Sequence, residues 1–105
     1  MELEVYWTDF AKQELKSIFD YHKEKVNLKV ARQIARQIVD EAKNLSSYPE
    51  MGQPEELLKG RKQKFRYIIS TNYKIIYWAN KSKNRVEISD VFDTRQNPIK
   101  LKRSE

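Results

Sequence analysis

The sequence predicts an α+β fold: a short amino-terminal strand, an antiparallel two-helix hairpin, then a three-stranded antiparallel meander, with the helices on one face of the sheet. Three observations predict it. Apolar residues recur at three- and four-residue steps as far as Leu45, which is a helical period. Beyond Gly60 the chain turns to runs of β-branched and aromatic residues, which suit a pleated, half-buried surface. Between these regions lie two prolines and a glycine in seven residues, Tyr48 to Pro54, where neither a helix nor a sheet ladder continues easily. Helices segregated from later strands make an α+β arrangement, and 105 residues suffice for one domain spanning 1–105.

The elements follow in order. Leu3, Val5 and Trp7 alternate with Glu2, Glu4 and Tyr6, a strand pattern. Thr8 or Asp9 then offers an oxygen to unpaired N–H groups at a helix start. Ala11, Leu15, Ile18, Phe19 and His22 share one face of that helix. Asn27 is the next cap, and Ala31, Ile34, Ala35, Ile38, Ala42 and Leu45 form the clearest apolar stripe in the chain. Lys29, Arg32, Arg36, Asp40 and Lys43 occupy its outer side. The meander strands read from Phe65 to Ser70, Tyr73 to Ala79 and Arg85 to Phe92, separated by Thr71-Asn72 and by the polar gap Asn80 to Asn84. The first strand is expected beside this meander. Apolar residues occur at both parities of the three strands, so alternation does not say which face is open.

Composition narrows the chemistry. There is no cysteine, which excludes disulfides, thiolate ligands and thiol nucleophiles and fits a cytoplasmic protein. One histidine, His22, gives no metal-ligand cluster, so neither metal nor cofactor is expected. It falls on the inner edge of the first helix, where a packed imidazole is the simpler reading. No apolar run approaches the roughly 18–20 residues that span a bilayer, so no membrane association is expected. Net charge is +6, but unevenly spread: residues 1–58 hold eight bases and eleven acids, residues 59–105 thirteen bases and four acids. A half at net +9 points to a polyanionic or acidic partner.

The densest basic segment is Lys59-Gly-Arg-Lys-Gln-Lys-Phe-Arg66. If it is extended, Lys62, Lys64 and Arg66 point to one side of the sheet, a row suited to phosphates. Otherwise it is an edge guarded by lysines against aggregation. Arg95 follows the last strand, near enough to join these cations and clamp a phosphate or carboxylate; the alternative is local pairing with Asp93. Lys100, Lys102 and Arg103 read as a tail. Phe65, Tyr67, Tyr73, Tyr77 and Trp78 can stack on bases if exposed, or form core. The Tyr77 hydroxyl also has acid–base potential.

Four segments, taken together, are similar to the RelE/ParE toxin superfamily. They are Val5-Tyr-Trp-Thr-Asp-Phe-Ala-Lys-Gln-Glu-Leu15, Tyr48-Pro-Glu-Met-Gly52, Phe65-Arg-Tyr-Ile-Ile-Ser-Thr-Asn-Tyr-Lys-Ile-Ile-Tyr77 and Val91-Phe-Asp-Thr-Arg-Gln-Asn-Pro98. The resemblance implies a growth-arresting toxin of a type II toxin–antitoxin, plasmid-stabilisation type of module. It also implies a cognate antitoxin whose acidic carboxy-terminal segment wraps the toxin as a hetero-oligomer. The superfamily divides by target. RelE-like members cut mRNA on the ribosome, using sheet-borne Lys and Arg with a further basic or aromatic group near the carboxy terminus. ParE-like members poison DNA gyrase. Here Lys62, Lys64, Arg66 and Arg95 could fill the electrostatic roles of a ribonuclease. Phe92 and Asp93 stand where such an enzyme would have a proton-transfer group. The closing segment is closer to ParE-like endings, for which no catalytic residues are implied. The expectation is therefore a ParE-like gyrase inhibitor. The alternatives are a ribosome-dependent mRNA endonuclease and an inactive homologue that only binds an acidic partner.

Overall fold

The computed structural model describes residues 2–95. Its elements are β1 (Glu4–Trp7), α1 (Asp9–Lys25), α2 (Leu28–Lys43), β2 (Gln53–Pro54), β3 (Arg66–Ser70), β4 (Tyr73–Asn80) and β5 (Arg85–Asp93), with single 3-10 turns at Asn44–Ser46, Glu56–Leu58 and Lys81–Lys83. The α+β order, the helical hairpin and the β3–β4–β5 meander are those the sequence predicts.

Both helix starts are set by side-chain oxygens. Of the two cap candidates, Thr8 is the one used: its Oγ1 accepts from Ala11 N and donates to Ile88 O, so the same residue starts α1 and ties it to β5. Asn27 Oδ1 accepts from Val30 N at 2.8 Å. The α2 stripe buries Ala31, Ile38, Ala42 and, one turn on, Leu45, while Lys29, Arg32, Arg36, Asp40 and Lys43 stay exposed.

The sheet runs β1-β5-β4-β3-β2. It is mixed: the meander strands are antiparallel, as expected, and β1, for which the sequence sets no direction, lies parallel to β5, from Glu4 beside Arg85 to Trp7 beside Ile88. Short turns force β3, β4 and β5 to alternate direction, but nothing so short connects β1 to β5. Its direction is instead fixed by the hydrogen bonds of Thr8 to Ile88 O. The sequence also gives no sign of β2. This two-residue strand pairs Gln53 with Tyr67 and Pro54 with Arg66 on the sheet edge, a position where proline's missing N–H does no harm.

Apolar residues cover both faces. On the helix side Tyr73, Ile75, Tyr77, Val86, Ile88 and Val91 pack with Ala11, Ile38, Ala42 and Leu45. On the other side Ile76 and Phe92 are covered by Leu58 and Phe65, with Tyr67 and Trp78 beside them. A register shift between Ile76 and Tyr77 pairs Ile76 with Asp90 and Tyr77 with Ile88, leaving Ser89 as an extra residue. That shift explains the mixed parity: β5 sends Val86 and Ile88 to the helices before the bulge and Val91 after it.

Candidate functional site

Lys62 and Lys64 are not on a strand. β3 begins at Arg66; residues 61–63 form a bend and 64–65 lead from it into the strand, with Lys62 and Lys64 exposed. The extended row of Lys62, Lys64 and Arg66 is thus replaced by a basic loop followed by one strand-borne arginine. Local pairing explains the break: Phe65 turns inward to join Leu58, Ile76 and Phe92, and Glu55 N donates to Phe65 O, drawing the segment over the sheet.

The loop closes over a cleft of about 320 Å³ with Leu58 and Phe65 on its floor. One wall is Glu55, whose buried carboxylate accepts from Lys74 Nζ at 2.9 Å and caps Leu57 N. Lys74 in turn lies 4.2 Å from the centre of the Tyr67 ring. Sequence spacing gave no hint of this pair, because Glu55 and Lys74 lie 19 positions apart.

Arg66 points the other way, toward the loop after α2. Its Nη1 donates to Gly52 O at 2.8 Å and its Nη2 stands 4.0 Å from Glu50 Oε1. The adjacent residue on β4, Tyr77, is fully buried and accepts from Gly52 N at 2.9 Å. Burial raises the Tyr77 hydroxyl above its ordinary value, a tendency that the Gly52 hydrogen bond and Arg66 partly offset. Tyr77 is therefore an acceptor holding a loop and offers no accessible acid–base group. Gly52 has no room for a side chain: a Cβ there would stand 2.5 Å from the Tyr77 hydroxyl and 2.6 Å from Tyr67 O.

Arg95 lies at the far end of the sheet. Its Nε and Nη2 donate to the two Asp93 oxygens at 3.0 and 2.8 Å, and its backbone N donates to Oδ1. This is the local pairing, and it replaces a junction with the loop cations. Asp93 is in register with Tyr73, whereas Arg66 is in register with Tyr77. Four residues along β4 correspond to roughly 13 Å at about 3.3 Å per residue. Hydrogen bonds from Arg95 hold the Asp93 carboxyl below the usual range.

Beside this pair a second cleft, of about 440 Å³, runs between α1 and the sheet, lined by Tyr21, Tyr73, Asp93 and Arg95 among others. His22 Nε2 and Tyr73 Oη are hydrogen-bonded at 2.9 Å, so the histidine is packed and partnered, as expected. Burial, then the Asp93 charge, raises the Tyr73 hydroxyl. Phe65, Tyr73 and Tyr77 are core; Tyr67 and Trp78 are part-exposed.

The loop cations can bind a polyanion or an acidic chain. Among the described residues His22 stands with Tyr73 and not with Lys62, Lys64 or Arg66, and no three His, Asp, Glu or Cys converge as metal ligands. No helix among them is long and apolar enough to cross a membrane. Lys100, Lys102 and Arg103 lie outside the described residues.

The family model described as the ParE toxin of type II toxin–antitoxin system, parDE, matches residues 5–98. No curated protein matches this sequence. Among solved structures, the chromosomal ParDE system from P. aeruginosa superposes with a TM-score of 0.72 at 15% identity, covering 88% of this chain and 96% of that one. The RelBE2 toxin–antitoxin complex from Mycobacterium tuberculosis superposes with a TM-score of 0.63 at 18% identity, covering 89% and 99%. At such identities the two structures speak for the fold, while the family model speaks for the sequence over nearly its whole length. The chain belongs to the ParE toxin family of type II toxin–antitoxin systems, within the RelE/ParE superfamily.

Proposed function

We propose that this chain arrests growth by binding DNA gyrase and that an acidic antitoxin neutralises it in a cytoplasmic hetero-oligomer. The observation that carries this reading is the dispersal of the candidate cations. Lys62 and Lys64 sit on the loop before β3, Arg66 is engaged by Gly52 and Glu50, and Arg95 is clamped by Asp93 at the far end of the sheet. Hydrolysis or transesterification of RNA needs a base for the 2′-hydroxyl, charge stabilisation at the phosphorus and an acid for the leaving oxygen, all within hydrogen-bond reach of one phosphate. Beside Lys62 and Lys64 the described residues bring neither histidine nor tyrosine; of the carboxylates that share their cleft, Glu55 is buried and bonded to Lys74, and Glu56 stands 4.0 Å from Lys59. A binding surface needs only presented charge, and the loop has that.

On this reading Lys62 and Lys64 contact the target or the antitoxin, Arg66 positions the 50–52 loop, and Arg95 contributes through whatever its Asp93 pair leaves open. The antitoxin assignment is supported by the net +9 half and by the family. The ParDE and RelBE2 relatives are themselves toxin–antitoxin systems.

The test uses purified chain with gyrase and relaxed plasmid, in parallel with translating ribosomes and mRNA. Supercoiling is expected to stop at stoichiometric toxin, with transcripts intact. Normal supercoiling at saturating toxin together with cut mRNA would replace this reading with the endonuclease one. Unchanged results in both assays, with unimpaired growth on expression, would leave an inactive homologue.

A further inference from the structure

We propose that the outer face of α2 binds the phosphate backbone of duplex DNA through Lys29, Arg32 and Arg36. This contact goes beyond the gyrase reading and lies away from the Lys62–Lys64 loop, since α2 covers one side of the sheet and Phe65 the other. Where gyrase is the target, the toxin meets it on duplex DNA, and this face touches that DNA directly.

The three cations are exposed, and none has an ion pair or side-chain hydrogen bond among the described residues. By contrast, Lys16 pairs with Asp20 and Lys43 with Asp40. Asp40 stands four residues after Arg36, a place for a helical partner, yet it turns to Lys43 at 3.6 Å. The row opposes the stability of its own helix. Lys29 is three residues from Arg32, and Arg32 is four from Arg36, spacings at which like charges repel. Lys29 also sits in a first turn that holds no acid, where the helix's own partial charge is positive. Solubility needs no such row, because interspersed charges of both signs serve as well. A bound polyanion reverses both repulsions.

A phosphate backbone suits this face better than an acidic protein does. The three cations fall within about 60° around the helix axis, at rises of roughly 4.5 and 6 Å, so they form one row on a rigid element. Gln33 and Gln37 are exposed beside them, and their amides can donate to phosphate or sugar oxygens. No apolar residue lies within the row, whereas a protein interface is built around an apolar core. Interfaces with DNA are the more polar and more positive kind. The face carries no aromatic ring on which an unpaired base could stack, which favours a duplex over a single strand. Asp40 and Glu41 end the row and confine the contact to residues 29–37.

The experiment measures fluorescence anisotropy of a labelled DNA duplex of arbitrary sequence binding to the full chain at several salt concentrations. Three phosphate contacts correspond to a slope of about 2.7 in log affinity against log salt. K29Q/R32Q/R36Q is expected to bind at least about tenfold more weakly at low salt and to lower the slope by roughly two to three. K12Q/K81Q/K83Q removes the same charge from exposed lysines elsewhere and should change the slope by less than about one. Glutamine is a good helix former and the repulsions vanish with the charges, so K29Q/R32Q/R36Q should melt no lower than the wild type.

Equal loss in the two triple variants reduces the effect to net charge and overturns the proposal. So does an unchanged slope in K29Q/R32Q/R36Q, or no binding of the wild type at low salt. Tighter binding of the single strand than of the duplex overturns it as well, as does displacement of the duplex by poly-glutamate at equal charge. Gyrase is absent from the assay, so its inhibition is read separately. If duplex binding fails while inhibition persists, the role given to α2 is wrong and the target reading stands.

Discussion

Two tyrosines on β4, four residues apart and on the same face, do opposite work at the two ends of the sheet. Tyr77 is sealed: its hydroxyl accepts a backbone N–H from Gly52, and Arg66 takes the carbonyl of the same residue, so the loop is gripped on both sides of one glycine. Tyr73 is buried as a ring but ends at a cleft, bonded to His22 and facing the Asp93–Arg95 pair. One end is closed by backbone hydrogen bonds that no titration or partner can replace. The other is built from side chains that border a cleft. Residue type does not set the role of either tyrosine; what the hydroxyl meets does.

The comparison breaks most visibly at Gly52. Gly52→Ala forces a Cβ into contact with the Tyr77 ring and hydroxyl and with the Tyr67 carbonyl, two of which are backbone or core and cannot swing away. Overpacking of this kind costs about 3 kcal/mol. A urea melt is expected to show that loss, and a cost below about 1 kcal/mol would mean the loop is not gripped as described. Tyr77→Phe keeps the ring and removes only the acceptor, leaving the Gly52 N–H buried without its partner. About 1.5–2 kcal/mol is expected. Tyr73→Phe is milder, about 0.5–1 kcal/mol, because half-buried His22 can turn to water. If the two phenylalanine variants cost the same, the distinction between sealed and open ends fails.

Much of this was legible before the structure and some could not be. The caps at Thr8 and Asn27 and the stripe of α2 depend on residues within four positions of each other, and they stand where the sequence puts them. The face assignment of β5 was not readable, because one extra residue at Ser89 inverts the alternation partway along the strand. The cation row failed for a related reason. Alternation from Lys62 to Arg66 assumes an extended backbone, but burial of Phe65 with Leu58 and Phe92 bends the chain just before β3. The Glu55–Lys74 and His22–Tyr73 contacts and the Gly52 cradle join residues 19, 51 and 25 positions apart, and pattern alone does not bring such residues together.

The smallest expected effects lie in titration, where the two ends should respond at opposite extremes of pH. Tyr77 has its folded-state value raised by burial, so folding favours the protonated form. Its contribution is complete below the unfolded value of about 10 and is lost as pH rises through the folded value. Tyrosinate absorbance should therefore show a component that ionises above the ordinary tyrosine range and that Tyr77→Phe diminishes.

Asp93 behaves in the reverse sense. Hydrogen bonds from Arg95 depress its folded-state value, so its contribution is present above about pH 3.9, the unfolded value, and is lost as pH falls through the folded one. The stabilisation is slight because the guanidinium is exposed and water competes for it. A carboxyl-carbon NMR titration is the sensitive measurement. Arg95→Ala is expected to return the Asp93 midpoint toward the ordinary range without changing the Tyr73–His22 bond. An unmoved midpoint would mean that the clamp is absent in solution, leaving Arg95 free to meet a partner's carboxylate or phosphate. The open end of the sheet would then be a second basic contact and not a self-satisfied pair.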